Sequence, residues 1–320
     1  MAHKVIVDTD TGIDDAMGCV LALKRPELEV LGFTSVFGNV DVELTTRNTA
    51  VLLEQTGHSD VPLARGAARG FVGIPSFNPE IHGHDGVGNA DFPTPTKRAE
   101  LPISAAEFII RSARENPGEV TFIALGPLTN LALALMLDPT LPTYLPRVVW
   151  MGGAVYEPGN VTPVGEADAC HDPEGAQMVL EQASWEVMVV SLDVTDSTLF
   201  RAVDLERLNR SSSPAARYLQ RIVPFYMDFY SPLLGERACA MHSALTVGLV
   251  ARPELIRGVE KLPISIELNG YLTRGMTVAD RRPGRKVSAN RAWMVAPEAT
   301  LVRDVNRSAF VELFLESVDA

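Results

Sequence analysis

A chain of 320 residues with 46% hydrophobic and 21% charged residues has the make-up of a soluble globular protein, long enough to bury a substantial core. Forty acidic residues against 28 basic ones give a net charge of −12, which argues against nucleic acid as a main partner, because phosphate binding needs a basic surface. Cys19, Cys170 and Cys239 are widely spaced and form no CxxC pair, the N-terminus reaches acidic residues too soon for a secretory signal, and no apolar run approaches the roughly 18 residues of a membrane span; the expectation is a cytoplasmic protein with no membrane partner.

The chain opens on an apolar run, Val5-Ile6-Val7, that predicts a strand and breaks into four aspartates: Asp8, Asp10, Asp14 and Asp15. Strand side chains alternate, so Asp8 and Asp10 are expected on one side near its end. Gly12 permits a turn, and Asp14 and Asp15 then fall in the first turn of a helix over 14–24, where the helix dipole favours carboxylates. Helix capping accounts for two of the four acids. It leaves Asp8 and Asp10 at the carboxyl edge of a strand, where open α/β folds bind ligands. A hard cation offsets repulsion among crowded carboxylates, and neither a His/Cys zinc set nor a P-loop accompanies them. The pattern points to an oxygen-only divalent site, with one aspartate free to act on water.

Farther on, β-branched runs at 29–36, 119–125, 147–151 and 186–192 alternate with amphipathic or Ala/Leu-rich stretches at 42–56, 103–115, 128–137 and 173–183. Such alternation predicts βαβ units: an α/β fold with a mostly parallel open sheet, helices on both faces and a Rossmann-like core. Residues 66–97, rich in Gly, Pro, His and Asn, read as a long surface loop, and 198–250 as an extra helical region. Past 262, "LPISIELNG" and "RGMTVADRRPG" predict C-terminal antiparallel strands, with a last strand near 292–296 and a closing helix at 307–318. No repeat or linker interrupts the chain, so 1–320 is expected to form a single domain.

Two enzyme families carry a "DTDTG" strand end. The haloacid-dehalogenase-type phosphatases also need a downstream lysine and a second acidic motif, whereas lysines here are few and no later GD-type acidic pair follows a strand. By contrast, "DTDTGIDDAMG" closely resembles the aspartate fingerprint of the inosine-uridine nucleoside hydrolases. The resemblance continues through "VFGNV" (36–40), "HGHDGVG" (82–88), "ALGPLTNLALAL" (124–135), "VVWMGGA" (148–154), "GNVTPVGEADACHDPEGA" (159–176) and "MHSALTVGLVARPELI" (241–256). Seven motifs in order cover nearly the whole chain.

That resemblance implies an enzyme that hydrolyses the N-glycosidic bond of ribonucleosides, with one Ca²⁺ at the strand ends and a dimeric or tetrameric assembly. Carried onto this sequence, Asp10 is the expected general base and a metal ligand, Asp15 a second ligand and the Leu125 carbonyl a third. Asp14 and Asn39 would hold sugar hydroxyls. Asn160, Glu166 and Asp168 would grip the far side of the ribose, with Met151 beneath the ring and Asp8 behind as an orienting group. His242 matches the family histidine beside the nucleobase and is the expected general acid. His82 is a candidate contact to base or sugar, whereas His84 reads as a loop residue. Tyr226 and Tyr230, four apart on a helix, share a face and either cover the nucleobase or pack.

Two positions depart from the family pattern. An Asp that ligates Ca²⁺ usually follows the histidine, and here Ser243 offers a hydroxyl without charge. "EAD" at 166–168 stands where Glu-Phe-Asn is usual: Ala167 removes an aromatic wall, and Asp168 replaces an amide that donates with a carboxylate that only accepts when ionised. Close together on an extended segment, Glu166 and Asp168 would disfavour simultaneous ionisation. Asp172-Pro173-Glu174 reads as an ordinary helix start. One carboxylate lost at 243 and one gained at 168 keep open an alternative, a degenerate ribose or nucleoside binder with little hydrolase activity.

Overall fold

The computed structural model describes residues 2–96, 100–182, 185–281 and 297–320. In chain order the first half comprises β1 (His3–Thr9), α1 (Ile13–Lys24), β2 (Leu28–Ser35), α2 (Val42–Gln55), β3 (Leu63–Arg65), α3 (Pro79–His82), α4 (Ala105–Glu115), β4 (Val120–Ala124), α5 (Thr129–Leu137) and β5 (Arg147–Met151). There follow α6 (Ala167–His171), α7 (Pro173–Leu180), β6 (Glu186–Val190), α8 (Leu192–Thr195), β7 (Leu199–Arg201), α9 (Ala202–Leu208), α10 (Pro214–Leu234), β8 (Ala238–Ala240), α11 (His242–Ala251), β9 (Ile256–Ile266), β10 (Thr277–Ala279), β11 (Glu298–Val305) and α12 (Arg307–Asp319).

Nine strands form one sheet in the order β10-β9-β11-β6-β5-β4-β1-β2-β3. The run from β11 to β3 is parallel, and β9 and β10 close the far edge antiparallel. Val5 and Val7 pack into the apolar layer on one face, shared with α1, α10, α11 and α12, while Ile6 packs into the other, shared with α4, α5 and α7. A strand covered on both faces has no polar side, which is why β1 reads as a continuous apolar run. The chain winds outward in opposite directions from β1 and β4, and the crevice at such a reversal is where open α/β sheets bind ligands.

Several local expectations need revision. The segment 66–97 is not uniformly a surface loop: it folds α3 inward and buries His82. Within 198–250 an antiparallel ribbon of β7 and β8 sits among the helices, because three-residue strands such as "LFR" and "ACA" are too short to show an alternation. The antiparallel pair past 262 is present as β9 and β10, with β9 starting earlier, at Ile256. The strand expected near 292–296 lies outside the described residues; β11 follows at Glu298–Val305. Asp172 does start a helix, its carboxylate accepting from the Gly175 N–H at 3.2 Å with Pro173 in the first turn. Among the described residues no helix is long and apolar enough to cross a membrane.

Candidate active site

At the carboxyl end of β1, β4 and β5 lies a cavity of about 350 Å³. Its wall brings together Asp10, Asp14, Asp15, Asn39, His82, Leu125, Met151, Asn160, Glu166, Asp168, Tyr226, Tyr230, His242 and Ser243, the residues expected from the sequence to touch metal or substrate, while Asp8 stands outside it. Five of them are carboxylates, and no lysine or arginine is among the described lining residues. His84 is exposed and stands outside the cavity.

The floor is the aspartate cluster. Asp10 follows β1; its Oδ2 accepts from the Asn39 N–H at 2.7 Å, while its buried Oδ1 has no hydrogen-bond partner. A side chain at Gly38 would collide with this carboxylate, which explains the glycine of "VFGNV". Asp15 is both helix cap and site residue: Oδ2 accepts from the Gly12 N–H at 2.9 Å and from Asn39 Nδ2 at 2.7 Å. The capping explanation and the functional one therefore describe the same side chain. Ser243, in the first turn of α11, donates from Oγ to Asp15 Oδ1 at 2.6 Å and lies 3.2 Å from Asp14 Oδ2. It comes this close because Gly18 lets α1 approach the Ser243 main chain; a Cβ there would sit 3.0 Å from it. Asp8 makes no hydrogen bond to Asp10. Its Oδ1 accepts from the Thr34 hydroxyl and from Asn130 Nδ2, so it ties β1 to β2 and α5.

Burial and mutual repulsion set the charge state of this floor. Desolvation, then the nearby Asp15, hold the Asp10 carboxyl well above the usual range. Desolvation and Asp14 push Asp15 up to about 8, and desolvation pushes Asp8 up to about 7 against its two hydrogen bonds.

Toward the rim, the 166–168 segment is not extended. Glu166 caps α6: Oε1 accepts from the Asp168 N–H at 3.0 Å, and Oε2 from the N–H groups of Ala169 (3.1 Å) and Gly153 (2.7 Å). Three main-chain donors oppose the upward shift that burial imposes on Glu166. Asp168 follows in the first turn, its ionisation disfavoured by burial and then by Glu166. Asn160 Oδ1 accepts from the Ala167 N–H at 3.0 Å, and Met151 ends β5.

The opposite wall is aromatic. His82 Nδ1 accepts from the Ile13 N–H at 3.1 Å, so the neutral ring carries its proton on Nε2. Burial lowers its pKa to about 4, which keeps it neutral. Tyr226 stacks on His82 with ring centres 5.3 Å apart, so it both packs and lines the cavity. Tyr230 Oη lies 3.0 Å from His242 Nε2, and His242 Nδ1 lies 2.8 Å from Thr195 Oγ1 and 4.0 Å from Asp196 Oδ1. Both nitrogens of His242 are thus engaged, and its polar link to the cavity runs through Tyr230.

The sequence matches the family described as "Inosine-uridine preferring nucleoside hydrolase" over residues 5–312. The chain belongs to that family. It is 36% identical to the "Probable uridine nucleosidase 2" of Arabidopsis thaliana over 318 residues, covering 98% of this chain and 96% of that one. It is 34% identical to the "Pyrimidine-specific ribonucleoside hydrolase RihA" of Citrobacter koseri over 317 residues, covering 99% and 98%. Among solved structures, the plant nucleoside hydrolase "PpNRh1" superposes with a TM-score of 0.92 at 32% identity, over 100% of each chain. The "DTDTG" strand end is therefore that of a nucleoside hydrolase, an N-glycosyl hydrolase of ribonucleosides, and not that of a haloacid-dehalogenase-type phosphatase.

In this nucleoside hydrolase the floor offers oxygen donors only: Asp10, Asp15 and the Ser243 hydroxyl, with Leu125 at the end of β4 on the same wall. The buried Asp10 Oδ1 without a donor fits a hard cation, as does an all-oxygen set. Among the described residues no group of three or more His, Cys, Asp or Glu side chains is placed to hold a metal, and the serine leaves two carboxylates in the set.

The same floor predicts a pH dependence. A carboxyl whose pKa is raised by folding binds protons more tightly in the native state, so the metal-free protein loses stability as pH rises from about 4, the unfolded value, through about 7 for Asp8 and about 8 for Asp15. Thermal unfolding in chelator is expected to give a higher Tm at pH 5.5 than at pH 8.5, with added Ca²⁺ narrowing the gap; a Tm that rises over that interval would contradict the charge states given above.

Sequence reasoning missed four polar residues of this region, the first of them Asn78, which lines the cavity at the start of α3. His171 and Asp196 line the cavity, and Thr195 holds His242. His171 was detectable as the residue one turn beyond Asp168, had α6 been read as a helix. Thr195 and Asp196 end a four-residue helix after β6, and nothing in their spacing links them to a histidine 46 to 47 positions later.

Proposed function

We propose that this nucleoside hydrolase acts on uridine and related pyrimidine ribonucleosides, releasing ribose and the free base. The observation that carries the reading is the single cavity with carboxylates on floor and rim and an aromatic, proton-bearing wall opposite. The names of the relatives, a uridine nucleosidase and a pyrimidine-specific hydrolase, support the choice of base.

In this reading the ribose lies over the floor, its hydroxyls held by Asp14, Asn39, Asn160, Glu166 and Asp168 with Met151 beneath, and the base stands against the wall of His82, Tyr226 and Tyr230. Asp10, Asp15, Ser243 and the Leu125 carbonyl would hold Ca²⁺, which when bound supplies a fixed water of lowered pKa. Asn39 fixes one Asp10 oxygen, and the other, without a donor of its own, takes the proton of the attacking water. Bond cleavage leaves positive charge on the sugar, which the surrounding carboxylates stabilise. A protonated His242, with Nδ1–H toward Thr195 and Asp196, gives its Nε2 proton to Tyr230 as Tyr230 gives its own to the departing base. Burial raises the Tyr230 pKa, so the phenol keeps its proton until the base takes it. Free Cys19, Cys170 and Cys239 fit a cytoplasmic setting.

Comparing kcat/KM for uridine, cytidine and inosine tests the base preference: uridine is expected to lead, and a larger value for inosine would overturn it. Tyr230→Phe is expected to lower kcat on uridine by about 100-fold, the lower range for general acid catalysis, yet to change kcat on p-nitrophenyl riboside less than threefold, because that leaving group needs no proton. Equal losses on both would remove Tyr230 from proton transfer.

A further inference from the structure

α6 carries two acceptors, on Asp168 and His171, that no described residue satisfies. The Asp168 carboxylate faces the cavity and accepts no hydrogen bond from any described residue, although only 6% of the residue is exposed. One turn on, His171 places Nε2 3.3 Å from the Ser76 carbonyl. A carbonyl only accepts, so the ring proton sits on Nε2 and Nδ1 presents a bare lone pair. That Nδ1 is buried and without a partner. It lies 3.9 Å from Asp168 Oδ1, too far for a hydrogen bond between them and close enough for one intervening atom to reach both. Burial lowers the His171 pKa, so the ring is held neutral and does not supply the missing proton. The ring is fixed edge-on against Phe37, 6.1 Å between centres, so Nδ1 stays directed at this gap.

A buried acceptor left without a donor is costly, as His171 Nδ1 is here, and Asp168, when ionised, faces the same gap as a second acceptor. Glu166 beside them is in a different state, since three main-chain N–H groups bond to it and leave one acceptor position. An occupant that relieves both donates two hydrogens from one atom, as a water molecule or an amine does, and among groups carried on a sugar only an amine can do so. A sugar hydroxyl brings one and satisfies one acceptor. An amine brings two, or three when protonated, and its charge is favoured by six acidic side chains with no lysine or arginine among the described lining residues. Ala167 leaves room beside the pair.

We propose that Asp168 and His171 form a two-acceptor subsite that selects ligands carrying an amino group on the sugar, so that aminodeoxyribosides are preferred over their hydroxyl counterparts. This rests on the reading that the α6 side of the cavity holds the sugar. Neither the fold nor the hydrolytic machinery requires such a preference: an Asn at 168 would hold a hydroxyl and donate as well.

The test is calorimetric binding of methyl β-D-ribofuranoside and its 3-amino-3-deoxy and 5-amino-5-deoxy analogues, which carry no nucleobase to hydrolyse. At least one amino sugar is expected to bind wild-type protein 10-fold or more tightly than the parent, and Asp168→Asn and His171→Phe are each expected to reduce that preference below threefold. Equal affinities for the three sugars in wild type, or a preference that survives both substitutions, would overturn the subsite. Uridine turnover is measured separately. Amino-sugar preference without turnover leaves the subsite standing and rejects the hydrolytic reading; turnover without preference does the reverse.

Discussion

Asp10→Asn is expected to lower kcat on uridine by about 10²–10⁴-fold, the range for loss of a positioned general base, with little change in the fold. The amide keeps an oxygen for the Asn39 N–H but cannot take a proton from water. It also removes one charge from a buried cluster in which Asp15 and Asp14 both raise the Asp10 pKa. The chelated variant should therefore unfold at a higher temperature than wild type at pH 8, where that repulsion is largest. Loss of activity together with a gain in metal-free stability separates a catalytic carboxylate from a structural one. Steady-state kinetics and thermal unfolding read the two effects, and a variant that keeps more than a tenth of wild-type kcat would exclude Asp10 as the base.

Ser243→Asp is the second large effect. The hydroxyl sits 2.6 Å from Asp15 Oδ1 and 3.2 Å from Asp14 Oδ2, so a carboxylate there joins two others at contact range. In chelator the variant is expected to be less stable than wild type. With Ca²⁺ the order reverses, because a charged acceptor in place of a neutral one is worth about 1–3 kcal/mol. Ca²⁺ affinity by calorimetry should rise about ten- to a hundredfold. If affinity is unchanged, position 243 does not touch the cation. If wild type proves inactive and the variant hydrolyses uridine, the chain is a nucleoside binder whose only catalytic defect is this serine.

The parallel core was legible because a strand covered on both faces must be apolar throughout, and Val5-Ile6-Val7 or Val120–Ala124 allow little else. The carboxylate floor was legible for a related reason: clustered acids at a strand end have a high cost unless they bind something. Three short elements in the second half escaped. β7, β8 and α6 are held by their surroundings and by caps such as Glu166, and a single turn leaves no period to read. Partnerships across the chain escaped as well. That His242 would meet Tyr230 and Thr195 depends on how α8, α10 and α11 pack, and spacing along the chain carries no record of it. Ser243 is the instructive case. Its difference from the family pattern was visible in the sequence, but its hydrogen bonds to the two aspartates needed the close approach of α1 and α11 at Gly18.

The most direct test of the central claim is product analysis of uridine incubated with the protein and Ca²⁺. Uracil and free ribose are expected in equal amounts, at a rate that falls on chelation and is restored by added Ca²⁺. Uridine that binds by calorimetry yet yields neither product would contradict the account.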